Sequence, residues 1–381
     1  MHICVVSPAY PYVGIPLYTF VEQFCVAMAK AGNQITVIAP QSLLNRVFKH
    51  QKHIPRVRID TYDDVNIMVY SPLGFTGYRK SKTGKVFNKI SAWIIHREIR
   101  RRGINPDVFY CHFWKSGLLV YEEAMRQNRP LFIASGESVI PIVNNNKRIT
   151  ELCNYVSGVI CVSTKNKNES ILNGLATPEK CIVIPNAIDS SLFRKKNKRV
   201  LRKQLGFNEK DFIVAYVGYF CERKGSRRLS SAISLMNDSE VKSIFIGSNL
   251  TDDDYSPNCP NVLFMEKLEH SVIPDYLNCA DVFVLPTLHE GCCNAIIEAM
   301  ACGLPVISSA RDFNEDILDD TCSILVDPLD IEEIAGAIHR IKNDKEMRIR
   351  LSEAALKKAE SLNLATRANK VLKYITDNVN S

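Results

Sequence analysis

Glu290 and Glu298 stand eight positions apart in the stretch HEGCCNAIIEAM, with a glycine, two cysteines and an asparagine between them. The apolar run that follows reads as a helix beginning near Asn294, and residues 288 to 293 as the turn before it. Glu290 is then expected in the loop ahead of a helix N-terminus, and Glu298 about one turn inside. A helix N-terminus offers unpaired N–H donors and the positive end of the helix dipole, a setting that suits a phosphate. Glu298 could hydrogen-bond a ribose diol, while Glu290 would face whatever lies beyond the phosphates. Two surface acids, one near a helix start where acids are favoured anyway, would leave the same local pattern.

The elements that would position these acids alternate along the whole chain. HICVVSP reads as a buried strand, and residues 18 to 31 as a helix closed by Gly32. QITVIAP, VNIMVYSP, DVFYCH, PLFIASG and GVICVS continue as short β-branched runs, mostly separated by helical patterns. Such βα alternation implies parallel sheet covered on both faces. A polar stretch interrupts the pattern near residues 188 to 210. It restarts with FIVAYVGYF, VKSIFIGS, NVLFME, DVFVLPT, LPVISSA and SILVDP. Two similar doubly wound α/β domains are expected. Ligands of such sheets sit beyond the carboxyl ends of the strands, so two facing sheets imply a cleft between domains.

Composition is that of an ordinary globular chain, with 46% hydrophobic and 23% charged residues. At 381 residues it exceeds a comfortable single core. No apolar run is long enough to span a membrane, and the N-terminus lacks the pattern of a signal peptide. The 13 cysteines include no CxxC pair, and Cys4, Cys25, Cys111, Cys161 and Cys181 fall in apolar runs, so they read as buried thiols of a reducing compartment. Residues 79 to 102 hold nine Lys/Arg against one acid, Glu98, a balance of +8. The whole chain carries +7, so the remainder sums to −1 and the basicity is local.

HEGCCNAIIEAMACGLPVISS resembles the signature of family 4 glycosyltransferases, retaining enzymes of the GT-B fold. That signature is Glu, seven residues, Glu, then AMA-G-PV, matched here by Glu290, Gly291, Glu298, Ala299, Met300, Ala301, Gly303, Pro305 and Val306. The resemblance implies that Glu290 contacts the donor sugar, Glu298 the nucleotide ribose, and the backbone of Gly291, Cys292, Cys293 and Asn294 the diphosphate. VGYFCERKG, residues 217 to 225, matches the family's phosphate-binding turn at Lys224 and Gly225. Where the family has arginine stands Tyr219, and Arg223 is the nearest substitute cation. IPNAID, with Asn186 and Asp189, is similar to the family's inter-domain segment. The final helix is similar to the one that crosses back to the first domain. The match is strong over residues 180 to 345 and looser before.

In the first half the family's paired-glycine loop is reduced to Gly14, which reads equally as a turn glycine. His112 ends a strand and points toward the expected cleft. Ser135 stands where many relatives have histidine. Leu268 is a candidate nucleobase contact. Asp252 and Asp254 form a DxD pattern that reads as a solvated acidic loop. Within residues 79 to 102, Val86, Phe87, Ile90, Trp93, Ile94 and Ile99 recur at helical spacing with cations on the flanks. They could cover the domain's own sheet or lie on an anionic membrane surface.

The resemblance therefore implies an α/β, GT-B protein of two Rossmann-like doubly wound domains facing a central cleft. Residues 1–190 would bind the acceptor and 191–360 the nucleotide-sugar donor, with 361–381 a C-terminal helix crossing back. It implies a retaining hexosyl- or N-acetylhexosaminyl-type transferase, with Glu290, Lys224 and His112 at the reaction centre. UDP is the favoured nucleotide and a glycan or lipid-linked hydroxyl the acceptor, as in surface polysaccharide synthesis. No cofactor, metal or nucleic acid is expected. The protein is expected to be cytoplasmic, and peripheral on the inner face of the cell membrane if the basic helix meets lipid. A nucleotide-sugar 2-epimerase of the same architecture, or a non-catalytic sugar-nucleotide or membrane-binding subunit, are the alternatives.

Overall fold

Strand β1 (His2–Val6) lies in the middle of an eight-stranded sheet and is buried on both faces. Ile3 and Val5 enter one apolar layer and Cys4 and Val6 the other, as the two-residue period of a strand requires. The structure is a computed structural model and describes residues 1–15, 17–43, 53–74 and 82–379, the side chains of 82–85 excepted. The chain divides into two compact units, Met1–Ile184 with Leu364–Ser381, and Pro185–Asn363.

After β1 the first unit runs α1 (Thr19–Lys30), β2 (Gln34–Ile38), β3 (Gln41–Ser42), β4 (Val57–Tyr62), β5 (Val65–Tyr70), β6 (Leu73–Gly74), α2 (Lys82–Arg102), β7 (Val108–His112), α3 (Trp114–Gln127), β8 (Leu131–Ser135), α4 (Lys147–Tyr155), β9 (Gly158–Cys161), α5 (Thr164–Leu172) and β10 (Cys181–Val183). The strand order is β10-β9-β8-β7-β1-β2-β5-β4, parallel except for β4 against β5, with β3 and β6 pairing separately. The chain builds outward from β1 on one side and returns to β7 on the other, so the switch point lies between β1 and β7.

Helices cover both faces. Val21, Phe24 and Met28 of α1 share a core with Ala368, Val371 and Ile375 of the C-terminal helix (Leu364–Val379). On the other face, Ile95 and Ile99 of α2 pack with Trp114, Val120 and Tyr121 of α3 and Leu152 of α4. The C-terminal helix is fixed in this unit by Tyr374, whose hydroxyl donates to the Lys180 carbonyl at 2.7 Å.

The second unit repeats the plan: α6 (Lys198–Leu205), β11 (Phe212–Val217), α7 (Ser226–Met236), β12 (Val241–Ile246), β13 (Val262–Glu266), α8 (Ile273–Cys279), β14 (Val282–Leu285), α9 (Asn294–Ala301), β15 (Val306–Ser309), β16 (Ser323–Val326), α10 (Ile331–Asn343) and α11 (Lys345–Glu360). Its six parallel strands are ordered β13-β12-β11-β14-β15-β16, which puts the switch point between β11 and β14. Both loops singled out in the sequence, after β11 and after β14, leave the sheet at that point.

Helix α2 corrects one expectation. Its apolar residues form two stripes rather than one: Ala92, Ile95 and Ile99 are buried, while Val86, Ile90 and Trp93 are exposed and Phe87 and Ile94 lie between. Of the basic segment, Arg79, Lys80 and Ser81 lie outside the described residues.

Candidate active site in the second unit

The loop from β11 to α7 and the loop from β14 to α9 are stitched together. Leu288 N–H donates to the Arg223 carbonyl at 2.8 Å, and Thr287 Oγ1 lies 3.2 Å from the same oxygen. Gly225 makes the approach feasible. It holds φ +75°, and a Cβ there would collide with the Pro286 carbonyl of the neighbouring loop.

Three side chains converge on a single oxygen. Glu290 Oε1 lies 2.7 Å from Arg223 Nη1, 2.7 Å from Lys224 Nζ and 2.8 Å from Thr287 Oγ1. Burial works against the charged form of this acid, but Lys224 and Arg223 outweigh it and hold the carboxyl below its usual range. Burial likewise opposes the charge on Lys224, and the neighbouring Cys293 and Glu290 more than offset it, so its pKa is raised. All three bonds fall on Oε1, which leaves Oε2 for a ligand hydroxyl.

Helix α9 begins beside this cluster. Cys293, its N-cap residue, provides no side-chain cap; Ile296 N–H turns back to the Cys293 carbonyl at 3.2 Å, and the Asn294 and Ala295 N–H groups at the start of the helix are the ones placed to meet an anion. The Cys293 sulfur is 3.7 Å from Lys224 Nζ, which puts the ammonium at the head of the helix. Asn186 Nδ2 donates to Asn294 Oδ1 at 2.9 Å and to the Cys292 carbonyl at 3.3 Å, fixing the turn from its far side. Gly291, Cys292 and Cys293 are buried in that turn. Glu298, buried in the second turn, accepts a 2.9 Å hydrogen bond from His270. The His270 ring leans on buried Phe193, centroids 5.0 Å apart. Its pKa is raised, chiefly by the bond to Glu298.

A family model described as "Glycosyl transferases group 1" matches residues 197–358, and one described as "Glycosyltransferase Family 4" matches residues 18–192. The chain belongs to glycosyltransferase family 4. A Bacillus subtilis glycosyltransferase named for teichuronic acid biosynthesis, TuaC, is 27% identical over 84% of this chain and 83% of its own. The Escherichia coli UDP-Gal:α-D-GlcNAc-diphosphoundecaprenol α-1,3-galactosyltransferase is 27% identical over 58% of this chain and 60% of its own. Among solved structures, sucrose-phosphate synthase from Thermosynechococcus elongatus superposes with a TM-score of 0.78 at 19% identity, covering 99% of this chain and 98% of that one. Anabaena HepE in complex with UDP-glucose superposes with a TM-score of 0.72 at 18% identity, over 99% and 100%. These likenesses establish the GT-B fold.

Against the family 4 signature, the second unit brings together Glu290, Arg223, Lys224, Gly291, Cys292, Cys293 and Asn294, with Glu298 further along α9. Tyr219 lies two residues beyond β11 and is 49% exposed, so the residue that stands in place of the family arginine is open to solvent. Leu268 is half-buried two residues before His270. Thr287 and His270 were missed in the sequence because each lies outside the signature. Their one signal is position, at a strand's carboxyl end and just after the proposed nucleobase contact.

The first unit contains the two remaining candidates. Gly14, at φ +78°, makes a tight turn between Tyr12 and Ile15, whose backbones exchange hydrogen bonds of 3.1 and 2.7 Å. His112 closes β7, 4% exposed, and burial pulls its pKa down to about 3, so the imidazole is neutral. Ser135, at the end of β8, is fully buried.

Proposed function

We propose that this family 4 glycosyltransferase moves a hexose or N-acetylhexosamine, with retention, from a UDP-sugar to a hydroxyl of a glycan or lipid-linked acceptor in surface polysaccharide synthesis. One observation carries the reading: the Arg223–Lys224–Glu290 cluster sits at the β11/β14 switch point, beside the uncapped start of α9. As the bond from sugar to diphosphate breaks, negative charge grows on the leaving phosphate. Two cations and the N–H groups of α9 are already aimed at an anion in that place, and such preorganised donors favour the transition state over the bound substrate. Glu290 Oε2 would hold the sugar ring by a hydroxyl, and Glu298 the ribose. The acceptor hydroxyl attacks from the face the diphosphate leaves and passes its proton to the departing phosphate oxygen. No protein nucleophile and no metal is required. The named work of the relatives in teichuronic acid, capsular polysaccharide and undecaprenyl-linked glycan synthesis supports the acceptor class.

A lipid-linked acceptor fits a second feature. No helix among the described residues is long and apolar enough to cross a membrane. Helix α2 instead exposes Val86, Ile90 and Trp93 at 55, 36 and 60%, with Arg97 over the Trp93 ring at 5.5 Å and Lys89 and Arg101 nearby. We propose that this outer stripe rests on an anionic lipid surface, as apolar area flanked by cations does.

The test is UDP release from UDP-glucose, UDP-galactose and UDP-N-acetylglucosamine with a short-chain prenyl-diphosphate N-acetylglucosamine as acceptor, followed by NMR of the product's anomeric centre. Acceptor-dependent release with a retained configuration is expected. Conversion of donor without acceptor would instead identify a 2-epimerase.

A further inference from the structure

At the carboxyl ends of β7 and β8 the first unit holds a carboxylate that the family signature does not include. Glu137 Oε1 accepts from Trp114 N–H at 3.0 Å, and Oε2 accepts from Gly136 N–H at 3.0 Å and Ser135 Oγ at 3.3 Å. The loop that carries it is clamped from α5, where Asn166 Nδ2 donates to the Glu137 carbonyl at 2.8 Å and Lys165 Nζ to that of Ser138. Part of the role is structural. Phe113, the N-cap residue of α3, has no capping side chain, and Glu137 supplies the cap from outside. Of the three hydrogen bonds that neighbouring residues make to this carboxylate, two fall on Oε2 and one on Oε1, so Oε1 is the less engaged oxygen.

The surroundings suit a sugar. Glu137 is partly buried, and half-buried Tyr18, Phe20 and Phe113 cluster in front of β1 and β7, ring centroids 5.6 to 6.4 Å apart. Tyr18 meets Phe113 at 6.0 Å between ring centroids, and Phe113 directly precedes Trp114, whose N–H Glu137 accepts. His112 is the second, independent sign of a missing partner. Its ring lies edge-on to Phe20 at 5.9 Å and Phe113 at 6.3 Å, and among the described residues its buried Nε2 has no hydrogen-bond partner. A buried polar atom without a partner is costly, and a ligand that supplied one would recover that cost. Aromatic faces, a carboxylate and a neutral imidazole match the apolar faces and hydroxyls of a pyranose.

We propose that Glu137, with Tyr18, Phe20, Phe113 and His112, forms the subsite that takes the neutral sugar ring of the acceptor, Glu137 Oε1 accepting from one of its hydroxyls. This rests on the glycosyltransferase reading, since a hydroxyl acceptor is what that reaction needs.

The experiment is saturation-transfer difference NMR on the full chain, with methyl N-acetyl-α-D-glucosaminide and methyl α-D-glucoside as probes and UDP in the same sample. Saturable transfer to at least one glycoside is expected from wild type. Glu137→Gln, which keeps an oxygen for the α3 cap, should weaken it about tenfold, the effect of one charge-assisted hydrogen bond, with UDP signals unchanged. Tyr18→Asn, which suits the left-handed backbone there, should weaken it as well and decides the matter alone if Glu137→Gln does not fold. No saturable transfer from wild type, or a dissociation constant unmoved by the variants that fold, overturns the proposal. Loss of UDP signals with glycoside signals intact would count against the donor reading and leave this subsite standing.

Discussion

Lys224 Nζ lies 2.7 Å from Glu290 Oε1, and their side chains are only 12 and 10% exposed. A buried ion pair gains little net stability over an apolar pair, because both charges must leave water. Its use here is positional. Glu290 gathers two cations onto one oxygen at the β11/β14 switch point, so the anion site is already charged before a diphosphate arrives.

Lys224→Met removes the cation at the head of α9 and leaves Glu290 with Arg223 and Thr287. Turnover should fall by about 10²–10³, the usual cost of one donor to a developing negative charge, with a smaller change in donor KM. Steady-state kinetics with a thermal melt on the same sample separates loss of chemistry from loss of fold.

Arg223 is expected to replace the arginine that Tyr219 displaces. Arg223→Ala should weaken UDP binding by about tenfold, and Tyr219→Arg in that background should recover much of the loss. Titration of UDP into the single and double variants measures both; a double variant no better than the single would mean that the two positions reach different atoms.

The His270–Glu298 pair gives stability a pH dependence of known sign. His270 has its folded-state pKa raised by the bond to Glu298. Its contribution is therefore fully present below the ordinary histidine value of about 6.5, and is lost as pH rises through the raised one. The gap in melting temperature between wild type and His270→Ala should be widest in mildly acidic buffer and narrow in alkaline buffer to what packing on Phe193 contributes. Thermal melts across that range would show it.

Membrane contact through α2 calls for selective reversals. Arg100 is bonded to buried Glu123 at 3.2 Å, so changing it would disturb the fold, and Arg102 is already paired with Glu98 at 2.9 Å. Arg97→Glu with Arg101→Glu, and separately Trp93→Ala, should reduce co-sedimentation with phosphatidylglycerol vesicles several-fold while leaving binding to neutral vesicles at its low level. Equal sedimentation of wild type and the charge-reversed variant would remove the lipid surface from the reading.

The βα grammar and the two halves were legible because fully buried parallel strands read as short apolar runs, as β1 and β11 do. Glu290, Lys224 and Glu298 were legible because a fixed spacing places them on a loop and a helix. What pattern could not reach depends on tertiary placement. Val86, Ile90 and Trp93 are as apolar as Ile95 and Ile99, and only packing against α3 distinguishes the covered stripe of α2 from the exposed one. Glu137 caps a helix 23 positions earlier in the chain. His270 meets Glu298 across 28 positions. Phe113 adopts φ 72°, ψ 151°, a region costing about 1–3 kcal/mol for a side-chain-bearing residue, which no propensity would assign to phenylalanine.

The most direct test is isothermal titration of UDP and of GDP, in buffer with chelator, into wild type and Glu298→Ala. UDP should bind wild type without metal and bind Glu298→Ala about tenfold or more weakly, as loss of a carboxylate on a ribose diol would cause. Absence of binding by either nucleotide, or UDP binding that the substitution leaves unchanged, would contradict a nucleotide site at the head of α9.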